Sequence, residues 1–114
     1  MNWLEHEYLV PVVMDNNVRS LDIAKRIKRI TGLKVNIFAK EFTIYQRLFF
    51  KCHKVCPFDK SFLADYLISF ADTLDSFEFP VIIAYKSEIS ALLGEYIERV
   101  ECSYLIVDPT DISC

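Results

Sequence analysis

Glycine is nearly missing from this sequence, with two in 114 residues and only four prolines. Disorder and low complexity are excluded by the rest of the composition, which is 53% hydrophobic, 14% aromatic and 25% charged. Charge of one sign is lacking too. A net charge of −3 gives no global electrostatic case for nucleic acid or an anionic membrane as partner. No apolar run reaches the roughly 18–20 residues that a spanning helix needs. The first residues, Met1-Asn2-Trp3-Leu4-Glu5-His6-Glu7, place acidic groups where a secretory signal would carry none. The expectation is a soluble, cytoplasmic chain forming one domain over residues 1–114, long enough to bury a core of its own.

Four cysteines are present: Cys52, Cys56, Cys102 and Cys114. With no sign of secretion, a disulfide framework is not expected. Cys52-His53-Lys54-Val55-Cys56 can be read as half of a metal clip. In an extended strand, however, Cys52 and Cys56 share one face while His53 points to the other, and a second Cys/His knuckle is missing. The favoured reading is buried structural thiols and no metal site.

Along the chain, short apolar runs alternate with helical patterns. Tyr8 to Met14 reads as a strand covered on both faces, although Pro11 removes a ladder donor from it. Asp15-Asn16-Asn17 supplies turn and N-cap chemistry. From Val18 to Thr31, Ile23, Ala24, Ile27 and Ile30 fall on one helical arc, with Asp22, Lys25, Arg26 and Arg29 opposite. Gly32 stands as the stop. The basic cluster reads as a solvated helix face, with a phosphate or partner site as the alternative. Leu33 to Ala39 alternates as a second strand. Lys40 to Phe50 reads as a loop with a short helix, since Phe42, Tyr45, Leu48 and Phe49 have helical spacing. A third strand is expected over Lys51 to Cys56. A helix capped by Asp59 follows from Lys60 to Leu74, then a buried strand from Phe79 to Tyr85. Ser87 is expected to cap a helix over Glu88 to Val100, and Tyr104 to Val107 forms a fifth strand. Strands separated by helices need crossover connections. The expected fold is therefore α/β, a three-layer Rossmann-like domain around a mostly parallel five-stranded sheet.

In such sheets ligands bind beyond the carboxyl ends of the strands, where strand order reverses. The first strand delivers Asp15, Asn16 and Asn17 to that edge, the fourth delivers Lys86, Ser87 and Glu88, and the fifth delivers Asp108. Helix N-termini there favour anions, so these residues are the ligand-binding candidates. The alternative is that Asp15, Asn17 and Ser87 serve only as caps. Sharper motifs are missing. There is no Gly-x-Gly-x-x-Gly after the first strand, no Gly-x-x-x-x-Gly-Lys-Ser/Thr and no Gly-x-Ser-x-Gly elbow. The acidic pair and third-strand Asp of a phospho-receiver are missing as well. His6 and His53 have no nucleophile at usable spacing, so no catalytic residue is assigned.

The order of segments nevertheless resembles one family. Val10-Pro11-Val12-Val13 runs into a polar turn and then Ser20-Leu21-Asp22-Ile23-Ala24-Lys25-Arg26. Thr31-Gly32-Leu33-Lys34-Val35 follows, then Val55-Cys56-Pro57-Phe58-Asp59 before a long helix, and Val81 to Leu93 as a strand, polar turn and Leu-Leu helix. Over Tyr8 to Asp108 this is similar to the N-terminal (pre-ATP-grasp) domain of ATP-grasp carboxylate–amine ligases. The family's first turn is usually glycine-rich. Here it is Met14-Asp15-Asn16-Asn17, and asparagine can adopt left-handed conformations.

The resemblance implies a central strand order 3-2-1-4 and a scaffold domain contributing part of the acceptor-substrate pocket. ATP-grasp chemistry phosphorylates a carboxylate and captures the acyl phosphate with an amine or thiol. It needs a nucleotide clamp with lysines over the phosphates and Asp/Glu/Asn on Mg²⁺. The resemblance puts those elements C-terminal to Asp108. ATP and Mg²⁺ are thus expected only with a C-terminal ATP-grasp module, in cis or in trans, and these residues alone should not ligate anything. Two other readings stand beside it. One is a stand-alone regulatory or small-ligand-binding module. The other is a protein-interaction domain, such as a homodimer, suggested by the aromatics between Phe42 and Phe50.

Overall fold

A computed structural model describes residues 8–111. His6 and Cys114 lie outside the described residues. The strands are β1 (Leu9–Met14), β2 (Asn36–Ala39), β3 (Lys51–Lys54), β4 (Phe79–Ile83) and β5 (Leu105–Val107). All neighbours pair in parallel, in the order β3-β2-β1-β4-β5. The helices between them are α1 (Val18–Thr31), α2 (Ile44–Phe49), α3 (Lys60–Asp72), α4 (Lys86–Leu93) and α5 (Ile97–Glu101). The result is the expected Rossmann-like α/β sandwich, with the central order 3-2-1-4 in place.

Two prolines sit in inner strands without breaking the sheet, and strand parity explains how. The Tyr8 carbonyl accepts from Phe79 N, so alternate residues of β1 from Tyr8 turn their amide edges to β4. Pro11 therefore faces β2, where the ladder begins one residue later at Val12↔Asn36. By the same parity Pro80 faces β5, whose ladder begins at Val81↔Leu105. Each missing donor falls just outside a ladder.

The sheet buries both faces. On one side Val13, Ile37, Val81 and Ile83 pack against Ile23, Ala24 and Ile27 of α1. On the other, Val12, Met14, Phe38 and Ile82 meet Leu63, Ala64 and Leu67 of α3, with Ile89, Leu93 and Val100 of α4 and α5. Burial of this apolar area is the main favourable term in folding. Tyr104 is buried among the second group and donates its hydroxyl to the Leu67 carbonyl at 2.6 Å. Burial, with Asp72 nearby, pushes that phenol far above its ordinary pKa.

Several boundaries match the sequence pattern. The α1 helix spans Val18–Thr31 and ends on Gly32, which donates its N–H to the Lys28 carbonyl and then turns the chain away with a left-handed backbone (φ 71°). Asp59 caps α3 by accepting from Phe62 N at 2.9 Å. Others differ. The second strand starts at Asn36, not Leu33, and the third ends at Lys54 rather than Cys56. The expected single helix over Glu88 to Val100 is two helices, α4 and α5, separated by a 3₁₀ turn at Gly94–Tyr96. Gly94 has φ 51°, and a Cβ there would lie 3.1 Å from the Lys60 side chain. Periodicity cannot register a break that keeps the apolar residues on one side.

The thiols also depart from expectation. Cys56 and Cys102 are exposed and Cys52 is half-buried. Cys56 falls beyond the end of β3, where strand alternation no longer points it inward, and Cys102 follows the last turn of α5. Burial raises the Cys52 thiol pKa, opposed by Arg47.

Candidate functional site

The carboxyl ends of β1 and β4 meet where strand order reverses, between α1 and α4. The turn after β1 is built from its own side chains. Asp15 adopts φ 71°, the one non-glycine residue with positive φ among the described residues. Its N–H donates to the Phe38 carbonyl at 2.7 Å, tying the turn to β2. Its carboxylate accepts from Asn16 N at 2.8 Å and from the Asn17 side-chain amide at 3.3 Å. Asn17 is the N-cap of α1, accepting from Ser20 N at 2.9 Å, while the buried Ser20 hydroxyl donates to the Met14 carbonyl at 2.8 Å. Asn16 reaches away from the crevice. Its Nδ2 donates to the Glu41 carbonyl at 2.6 Å and, at 3.4 Å, to Gln46 Oε1.

The left-handed residue is thus Asp15, not an asparagine. A non-glycine residue there is strained by about 1–2 kcal/mol, offset by the two hydrogen bonds its carboxylate accepts. Asp15→Gly should therefore change stability by less than about 1 kcal/mol, whereas Asp15→Val should lose about 2 kcal/mol or more. Urea denaturation midpoints at constant m-value check both.

Across the crevice, Ser87 does not cap α4. The helix starts at Lys86 with Tyr85 as its N-cap residue and no side-chain cap bond. Arg19 of α1 reaches this end. Its guanidinium lies 4.3 Å from the centre of the Tyr85 ring and 3.5 Å from Glu88 Oε1. Arg19 therefore spans the switch point as a cation–π and ionic bridge. Sequence reading missed this residue because its partners lie far along the chain.

The remaining candidates group elsewhere. Lys86 and Asp108 line a concavity of about 390 Å³ together with Ala84, Ile89, Ile106, Glu101 and Asp111. Asp108 accepts from Thr110 N at 2.8 Å and Thr110 Oγ1 at 2.7 Å, and these bonds lower its carboxyl pKa. Asp15, Asn16 and Asn17 are not part of that concavity. The structure thus brings Asp15, Asn16 and Asn17 together on the β1 side. Lys86 and Asp108 meet on the β5 side, and Glu88 stands between the two groups with its Arg19 contact. Ser87 is exposed on the first turn of α4.

One polar cluster lies away from this edge. The buried Asn36 side chain donates through Nδ2 to the Pro11 carbonyl at 3.2 Å and presents Oδ1 to His53 Nε2 at 2.9 Å. That assignment makes His53 the donor at Nε2. Its ring stacks on Phe38 with centroids 4.4 Å apart and packs beside Phe70. Burial, then Lys51, lowers the His53 pKa. Among the described residues no group of three or more His, Cys, Asp or Glu is arranged to hold a metal ion. No described helix is long and apolar enough to cross a membrane. Compared with family models, curated proteins and solved structures, the chain matches none of them.

Proposed function

We propose that this chain is the N-terminal scaffold and acceptor-substrate-side domain of an ATP-grasp-like carboxylate–amine ligase, acting in the cytoplasm. The observation that carries the reading is the turn after the central strand. Asp15 holds a left-handed backbone in the turn that is usually glycine-rich in the family it resembles, in a sheet ordered 3-2-1-4-5. A left-handed turn at the end of β1, followed by the N-terminus of α1, is suited to bring backbone close to a polar or anionic substrate group. In this reading Asp15, Asn17, Lys86, Ser87, Glu88 and Asp108 form the domain's substrate-facing rim, with Asn16 bracing the β1 turn against the α2 segment. ATP and Mg²⁺ belong to a module beyond these residues, covalently continuous or separate.

Calorimetric titration of Mg·ATP into the 114-residue chain should give no binding heat. The protein isolated from its own cells, with whatever is joined to it, should form ADP only when a carboxylate and an amine are both supplied. Tight Mg·ATP binding by the isolated chain would overturn the reading, as would ADP formation indifferent to both substrates. A stand-alone small-ligand module is the second reading. It is favoured by the concavity between Lys86 and Asp108, and it predicts saturable binding of a small polar ligand that Lys86→Ala abolishes.

A further inference from the structure

Helix α2 is polar inside and apolar outside. Its one buried residue is Gln46, while Ile44 (77% exposed), Tyr45, Leu48 (68%) and Phe49 all face solvent. The helix is anchored by polar bonds. Thr43 Oγ1 accepts from Gln46 N, Gln46 Oε1 accepts from Thr43 N at 2.8 Å, and Asn16 also reaches Gln46 Oε1. The frame therefore holds α2 without using its apolar face, the reverse of the usual pattern.

Beside it runs the basic side of α1. Lys25, Arg26, Lys28 and Arg29 line a groove of about 720 Å³ together with Asp22, Tyr45 and Phe49. The Lys25 ammonium sits 5.2 Å from the Tyr45 ring centre, and that of Lys28 sits 4.6 Å from Phe49 while donating to the Phe49 carbonyl. None of these four cations is in an ion pair among the described residues. The ion pairs there are Arg19–Glu88 and Arg99–Asp65. In a chain of net charge −3, four cations against the single carboxylate of Asp22 make this a locally positive strip bordered by exposed apolar side chains.

We infer that the α1–α2 groove docks an acidic amphipathic segment of a partner polypeptide. The segment's carboxylates would meet Lys25, Arg26 and Arg29, and its apolar side chains would cover Tyr45, Leu48 and Phe49. Charge complementarity selects the acidic class. Single-stranded nucleic acid fits less well, because one face of each aromatic ring already carries a lysine ammonium and Ile44 and Leu48 offer bases nothing to stack on. A membrane surface is flat, whereas these cations line a concavity. The inference stands apart from the ligase reading, since the groove's lining shares no residue with the rim proposed there.

The test is fluorescence anisotropy of the full chain with a labelled amphipathic peptide of Glu and Leu at helical spacing. A Lys–Leu peptide of equal length, oligo-dT and phosphatidylserine vesicles serve as comparisons. The acidic peptide should bind, and more weakly as salt rises. Lys25→Glu with Arg29→Glu should weaken it about tenfold or more, and so should Leu48→Ser. All three positions are exposed, so the thermal midpoint should hold. Equal binding of both peptides, no binding of the acidic one, or preferential capture of oligo-dT or vesicles through the same residues would each overturn the inference.

Discussion

Phe38→Ala is expected to destabilise the protein by about 3–5 kcal/mol, enough to unfold a large fraction of a domain of this size at physiological temperature. Phe38 is 2% exposed and lies on β2 between Met14 of β1 and the α3 layer. Its ring stacks on His53 and meets Phe70 edge-on at 5.6 Å. Removing it opens a cavity that no neighbouring side chain can fill without leaving its rotamer. It also strips His53 of the ring that keeps water from one of its faces. The loss should show in the urea midpoint. In the remaining folded fraction, the His53 pKa read by NMR should rise back toward its ordinary value. A midpoint within experimental error of the unmodified protein would show that the α3 side of the core does not depend on this ring.

Asn36→Leu should be the next most damaging change, at about 2–3 kcal/mol. Leucine has the same branched outline of four side-chain heavy atoms and is no smaller, so the loss is not a cavity effect. It comes from leaving the Pro11 carbonyl and the His53 Nε2–H without their partner. The same site predicts a pH dependence. The folded pKa of His53 lies below its unfolded value near 6.5, because burial, then Lys51, disfavours the charged ring. Between those two pKa values the unfolded chain binds more protons than the folded one, so stability rises with pH through that window. The contribution is complete above about pH 6.5 and is lost as pH falls toward the folded pKa. Urea midpoints of the unmodified protein and His53→Phe, compared from pH 7.5 downward, should diverge least at the acidic end. Parallel curves would mean that His53 titrates alike in both states.

Much of the frame was legible from local pattern. The arc of Ile23, Ala24 and Ile27, with Gly32 after it, placed α1 at its observed bounds, and Asp59 announced the start of α3. These signals act between residues a few positions apart, so periodicity captures them. The starts of β2 and α4 were less legible. Ser87 has the chemistry of a cap, yet α4 begins earlier, at Lys86, where Tyr85 and Glu88 both contact Arg19 across two separate βα units. The burial of Gln46 was equally hidden. Six residues of apolar-rich sequence suggest an inward apolar face, but the bonds from Thr43 and Asn16 turn the amide inward and the aromatics outward.

The candidate site divides along the same line. That the polar residues after β1, β4 and β5 lie at one edge of the sheet follows from parallel strands joined by right-handed crossovers, and the sequence alone implied it. How those residues group within the edge is a tertiary matter. Asp15 makes its N–H bond to Phe38 on the neighbouring strand and then turns the chain off the sheet with a left-handed backbone. Lys86 and Asp108 share a concavity because β4 and β5 are paired neighbours, and the β1-turn residues take no part in its lining. What began as a glycine-poor chain with no catalytic signature is, by its own sequence, a parallel α/β domain, since spacing within a segment decides strand or helix. Which polar groups meet, which surface stays open and where the backbone is strained were decided only on folding, because each depends on pairing between residues far apart along the chain.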